Sequence, residues 1–326
     1  MIHQKSDTDT RHSGYTVQLA GRNDSPSLLL RHLPGRENGH GLPVLYVHGA
    51  TFSSALSVGF RFAGRSWLDE LSAAGFDAWS FDFAGYGGSA RYAAMAEPAM
   101  QHAPLGRAEV AALQIEHVAR TVSARHNGRP IALIAHSWGC IAAGLFATRC
   151  PDLVASLVFF GPITERQMSG LPQPESLGGW RLLTVKEQYD RFVEDVPADE
   201  APVLELGDFD AWAAAYLASD PDAGERQPPA IKIPAGPAAD ILAAWQGRPA
   251  YDPRLIRAPL LILRGEWDSL CRGTDAAGLL DQLQAAPARL DMEIPRATHL
   301  MHLETGRFAL YRAAADFLSN IGRTTA

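Results

Sequence analysis

The chain has little cysteine: Cys140, Cys150 and Cys271 are the only three in 326 residues. Three cannot all pair, and no metal-ligand spacing links them, so they are expected to be reduced and structural. Cys140 is expected to pack the first turn of a helix. Runs of basic residues are also missing, and the net charge is −7. Neutralising phosphates needs clustered Lys and Arg, so no nucleic-acid partner is expected. No stretch approaches the ~18 consecutive apolar residues of a membrane span, and no membrane partner is expected. The segment from Met1 to Arg11 is polar and lacks the apolar stretch of a secretory signal, which makes a cytoplasmic location the expectation. There is no internal repeat. Neither a metal nor a cofactor is expected.

What remains is an ordinary globular composition, 47% hydrophobic and 20% charged. The length suits one large domain, or a core with an insert. From Gly41 short apolar runs alternate with longer helical patterns. Strands are expected at Pro43–His48, Asp77–Phe83, Ile131–Ala135, Val154–Phe160, Pro259–Leu263 and Leu290–Ile294. Between them helices are expected at Ser66–Ala74, Arg107–Arg125, Ile141–Thr148 and Thr274–Gln284, with a last one at Gly306–Leu318. Such alternation predicts an α/β fold, a mostly parallel sheet with helices on both faces. Tyr15–Ala20 and Ser27–Leu33 read as an antiparallel hairpin at its edge.

Ile163 to Ile256 breaks the alternation. It is rich in proline, with helical pieces at Lys186–Asp195, Asp208–Ser219 and Ala238–Gln246 and no clear strand. Leu171–Pro174 and Gln227–Pro237 read as loops. The expected division is a core of residues 1–162 and 256–326, with a helical cap, 163–255, inserted between two core strands.

The most informative stretch is Ile131–Cys140, an apolar run ending in Ala135-His136-Ser137-Trp138-Gly139 with a helical pattern after it. Small-X-Ser-X-Gly between strand and helix is a turn sharp enough to expose a serine hydroxyl. Three more groups follow expected strands: His48-Gly49-Ala50; Asp268 in Gly265-Glu266-Trp267-Asp268; and His299 in His299-x-x-His302-x-Glu304. In an open parallel sheet reactive groups gather beyond the carboxyl ends of the strands. The chain order Ser, Asp, His belongs to this kind of elbow. A serine needs a base, and His299 can serve. The base needs a carboxylate to fix its tautomer, and Asp268 can serve.

With the segment from Asp82 to Ser89, Asp-x-x-Gly-x-Gly-x-Ser, these motifs make the chain resemble the α/β-hydrolase superfamily with a helical cap, over about Gly14 to Leu318. Ala135 departs from the usual glycine. The resemblance implies Ser137, Asp268 and His299 as catalytic triad, preferred over Glu266 as the acid and His302 as the base. It implies the backbone N–H groups of Trp138 and Ala50 as oxyanion donors, with Thr51 as alternative to Ala50. His48 is expected to hold the oxyanion turn, His136 to point away from the nucleophile, Asp82 to hold its glycine turn, and His302 and Glu304 to pack or cap the last helix. A serine at position 137 sets the chain apart from the dehalogenase and epoxide hydrolase branches, which use aspartate.

The expected activity is that of a serine hydrolase cleaving a carboxylic ester or lactone through an acyl-enzyme. The alternatives are a carbon–carbon bond hydrolase, an acyltransferase or an aminopeptidase on the same residues, or a small-molecule receptor without turnover. Between Ile163 and Ile256 there are 16 Asp and Glu against 8 Lys and Arg, a net of −8. Such an excess can favour a cationic substrate. The insert is also rich in aromatics, of which Trp212, Trp245 and Tyr216 are expected to line an apolar substrate pocket. A bulky, amine-bearing ester or lactone would suit it, and in layout the chain resembles the macrolide esterases.

Overall fold

Near-continuous apolar runs make strands buried on both faces. The computed structural model shows three at the centre of one sheet: β3 (Pro43–Val47), β5 (Ile131–His136) and β6 (Val154–Phe160). It describes residues 14–21, 26–36, 39 and 41–324; the polar segment Met1 to Arg11 lies outside them. Around the central strands lie β1 (Tyr15–Leu19), β2 (Leu28–Leu33), β4 (Asp77–Phe81), β9 (Leu260–Gly265) and β10 (Arg289–Ile294). The order across the sheet is β1-β2-β4-β3-β5-β6-β9-β10. Within this sheet, among the described residues, only the β1–β2 and β2–β4 pairings are antiparallel, so the hairpin forms one edge.

Helices cover both faces. On one side α1 (Trp67–Ala73) and α8 (Phe308–Thr324) bury Trp67, Leu71, Leu310 and Phe317. On the other α2 (Ala108–Arg125), α3 (Trp138–Arg149) and α7 (Gly273–Gln282) bury Ile115, Val118, Phe146 and Leu279. α1 starts where Ser66 accepts from the Asp69 N–H and Asp69 accepts from the Ser66 N–H, a reciprocal cap that satisfies two orphan donors. α3 starts at Trp138, directly after the serine, three residues before the expected Ile141.

Between β6 and β9 the chain makes α4 (Val185–Val193), α5 (Phe209–Ala218) and α6 (Gly236–Trp245). It also makes two strands that were not expected, β7 (Trp180–Thr184) and β8 (Ala230–Pro234), paired antiparallel with Leu182 opposite Lys232. Each is five residues long, and its partner lies on the far side of α4 and α5, so neither carries a local hairpin signal. The expected loop Gln227–Pro237 accordingly holds β8 and the start of α6.

This inserted segment is tied to the sheet's helices by polar contacts. The Trp212 indole donates to the Leu56 carbonyl at 2.8 Å, and Lys232 donates to the Met95 carbonyl at 2.6 Å. Asp240 on α6 accepts from the Trp138 indole at 3.0 Å and from the Ala108 N–H, and it pairs with Arg107. Among the described residues no helix is long and apolar enough to cross a membrane.

Candidate active site

β5 runs straight into α3, and the residue at the junction carries the strain. Ser137 has φ 55° and ψ −124°, a region that non-glycine residues avoid and that collects at functional sites. The crowding explains the small residues around it. A Cβ on Gly139 would sit 2.5 Å from the His48 carbonyl oxygen, so α3 can approach the end of β3 only with glycine there.

Three side chains from different strand ends meet at this junction. The Ser137 hydroxyl lies 2.8 Å from His299 Nε2. His299 Nδ1 lies 2.9 and 3.0 Å from the two Asp268 oxygens. Asp268 Oδ1 also accepts from the backbone N–H groups of Leu270 and Cys271, at 2.9 and 3.0 Å. All three residues are buried. Burial works to raise the Asp268 carboxyl, but His299 and the two backbone donors outweigh it and hold it below its ordinary range. An ionised carboxylate only accepts. The Nδ1 proton of His299 therefore points at Asp268, leaving Nε2 free to accept from the serine. Such an arrangement can move a proton from serine to imidazole and stabilise the imidazolium that results. β6 closes over the pair: a Cβ on Gly161 would stand 2.8 Å from His299 Nδ1.

The surrounding polar residues serve as scaffolding. His48 donates from Nδ1 to the Gly49 carbonyl at 2.8 Å and accepts the Phe83 N–H on Nε2 at 3.0 Å. Burial lowers it to about 4, so it stays neutral and locks the turn after β3. Tyr86 fixes the next peptide by donating to the Ala50 carbonyl at 2.7 Å. Asp82 accepts the Gly88 N–H at 3.0 Å, and it also grips Arg31 with both oxygens and accepts from Ser54. It thereby ties the glycine turn to the loop after β3. His136 does not face the serine; its Nε2 donates to the His299 carbonyl at 3.0 Å and its ring stacks on Phe160. Glu266 is exposed and accepts the Arg296 N–H. His302 is buried among Phe52, His136 and Phe160. Glu304 caps the loop holding His299, accepting from the Thr298 N–H and hydroxyl.

A cavity of about 190 Å³ opens at Ser137 and His299. This is below the roughly 300–1,000 Å³ typical of pockets for drug-sized ligands. Ala50 and Thr51 line it, as do Phe52, Ala238, Ile241 and Leu300. His136 lines it beside Ser137, and the polar wall opposite comes from Arg181, Gln188 and Arg191 of β7 and α4. Trp212, Trp245 and Tyr216 are not among the described residues lining it. Trp212 and Tyr216 are fully buried where the insert packs on the core, with Trp212 stacked on Phe209 and Tyr216 and edge-on to Phe52. Trp245 lies under the Arg166 guanidinium. These large aromatics are used up in packing the insert onto the core. The insert's acidic excess, expected to favour a cationic substrate, is not carried by this lining. No carboxylate lines the cavity among the described residues, and the charges that do are two arginines. A segment's net charge does not say which face carries which sign.

The sequence did hold a signal for this wall. On α4 the spacing Val185, Gln188, Tyr189, Phe192 is one helical stripe, and Gln188 is the amide in an otherwise apolar face. A larger cavity, about 360 Å³, lies between α3, α7 and the insert, bounded by Ile141, Arg166, Tyr251 and Asp275. Neither Ser137, Asp268 nor His299 lines it. Among the described residues no group of three or more His, Cys, Asp or Glu is placed to hold a metal ion.

Solved structures share this architecture. A carboxylesterase of the thaumarchaeon Nitrososphaera gargenis superposes with a TM-score of 0.62 at 12% identity, over 94% of this chain and 100% of that one. A thermophilic esterase from Thermogutta terrifontis gives 0.58 at 17% identity, over 94% and 99%. The 2-hydroxy-6-oxo-6-phenylhexa-2,4-dienoate hydrolase of Rhodococcus gives 0.58 at 13%, over 95% and 99%. At such identities the likeness is one of fold. No curated protein matches the chain. The family model described as "Alpha/beta hydrolase family" matches residues 44–310, most of the length, and the chain belongs to that hydrolase family.

Proposed function

We propose that the protein is a serine hydrolase that cleaves a carboxylic ester or lactone with a compact acyl group through an acyl-enzyme. The observation that carries this reading is the unbroken hydrogen-bond chain from Ser137 through His299 to Asp268, set on a strained serine. Ser137 Oγ attacks the carbonyl carbon as His299 Nε2 takes its proton. Asp268 stabilises the imidazolium. The backbone N–H groups of Trp138, next to the nucleophile, and of Ala50, on the locked turn, receive the oxyanion. His299 returns the proton to the leaving alcohol, whose bond to the acyl carbon breaks. Water then attacks the acyl-serine with His299 again as base, releasing acid and free serine. The segment 163–255 acts as cap, supplying the far wall of the cavity. The cavity's size favours a small acyl group over a macrocycle, and its arginines argue against an amine-bearing one.

A fluorophosphonate probe tests the nucleophile. One equivalent is expected on the Ser137 peptide by mass spectrometry, with activity against 4-nitrophenyl acetate lost in parallel. Labelling elsewhere, or full labelling of the Ser137→Ala protein, would reject the assignment.

A further inference from the structure

The polar wall of the cavity at Ser137 is built but unmet. Gln188 is 1% exposed, and neither its amide nitrogen nor its oxygen has a hydrogen-bond partner. An amide buried without partners loses its hydration for nothing in return, at a penalty proteins rarely carry. One turn along α4, Arg191 lines the same cavity. Its Nη1 is held by Glu194 and, at 3.5 Å, by Asp195. Its Nη2 is buried and has no partner. One end of the guanidinium is thus anchored by carboxylates and the other is left over. Arg181 is exposed and lines the cavity too, and it also borders an apolar trough formed with Leu177, Trp180 and Leu242. The apolar residues Phe52, Ile241, Leu270 and Leu300 also line the cavity, with Thr51 and His136 beside the serine.

From this unmet wall we infer that the substrate carries a carboxylate, which Gln188 and Arg191 bind at the inner wall, with Arg181 at the rim. Guanidinium and amide N–H groups match a planar two-oxygen anion. The Gln188 oxygen is left to accept from an O–H or N–H beside that carboxylate. Glu194 and Asp195 hold Arg191 in place and leave one of its nitrogens for the ligand. The inference rests on the hydrolase reading and narrows it to esters or lactones of acidic compounds. The carboxylate can belong to the acyl part or to the leaving alcohol.

Two matched pairs test it, each comparing an acid with its neutral N-methyl amide. Mono-4-nitrophenyl adipate and its amide place the charge on the acyl side. 4-Acetoxyphenylacetic acid and its amide place it on the leaving side. At least a tenfold preference in kcat/KM for the acid is expected in one pair, and that pair identifies the side. The preference should shrink toward one in Arg191→Met and in Gln188→Met proteins. A ratio within threefold of one in both pairs overturns the inference, as does a preference unchanged in both variants. Calorimetric titration of Ser137→Ala protein with the same four compounds reads the subsite with Gln188 and Arg191 intact. The favoured acid is expected to bind at least tenfold more tightly than its amide, and equal affinities in both pairs reject the subsite. Turnover persisting in the Ser137→Ala protein rejects the nucleophile instead.

Discussion

At the scale of single residues the proposed chemistry depends on one ordered set. Ser137→Ala is expected to lower kcat for a simple ester by about 10⁴–10⁶, since members of such a triad fail together. His299→Ala and Asp268→Asn should fall by about 10³ or more, the second because an amide no longer enforces the tautomer. Glu266→Gln should stay within about threefold, because Glu266 is exposed and its carboxylate accepts from the Arg296 N–H and not from His299. Steady-state rates with 4-nitrophenyl acetate decide the order, and a Glu266 effect larger than that of Asp268 would reassign the acid. These residues were legible because each sits in a short motif of its own. Ser137 is flanked by Ala135 and Gly139, Asp268 follows Gly265, and His299 follows the last strand. Gly161, packed against His299, was not legible. Its reason is a contact across the sheet, and nothing near it in sequence marks it.

At the scale of elements, local pattern located the α-helices, most ends to within three residues, because caps and apolar stripes are short-range, although α8 runs six residues past the expected Leu318. The pattern missed β7 and β8, whose pairing is long-range, and it could not assign a face to Trp212. A tryptophan in a helix of the insert can meet a ligand or pack against protein, and the rings of Phe192, Phe209 and Tyr216 within the insert and of Phe52 from the core enclose Trp212, Phe52 standing between it and the cavity side. Trp212→Ala should therefore act on stability, at about 3–5 kcal/mol for a large buried ring. The same helices are held to the core through Asp240. Its carboxylate joins α6 to Trp138 and to the first turn of α2. Asp240→Ala would leave the buried Trp138 indole and Ala108 N–H without their acceptor, costing about 2–4 kcal/mol. Urea unfolding measures both. A Trp212→Ala protein of unchanged stability but altered substrate order would return that ring to the substrate pocket.

At the scale of the whole molecule, net charge of −7 and −8 for the insert described the outer surface, while the cavity kept arginines. The buried titratable groups set a different global property, the dependence of stability on pH. Burial lowers His48 to about 4 and His302 to about 3, and takes His136 well below its ordinary value. Unfolded, each takes up a proton near 6.5. Between about pH 6.5 and 4 the unfolded chain therefore binds more protons than the folded one. Stability must fall on acidification through that window, by up to about 1.4 kcal/mol per pH unit for each histidine. Glu304 opposes them. Burial raises it to about 7, so from its ordinary value to about 7 the folded state holds the extra proton, and its contribution declines as pH rises. Three histidines against one carboxyl leave a net loss toward acid, with greatest stability expected near pH 6.5–7. Urea midpoints from pH 4.5 to 8 test this. His302→Leu, which keeps an apolar group among Phe52, His136 and Phe160, should flatten the acid limb by about one proton's slope. Glu304→Gln should steepen the same limb and relieve the decline toward pH 7. A midpoint unchanged between pH 6.5 and 5, or an acid slope the same in His302→Leu as in the parent, would mean that these histidines are not held neutral by burial.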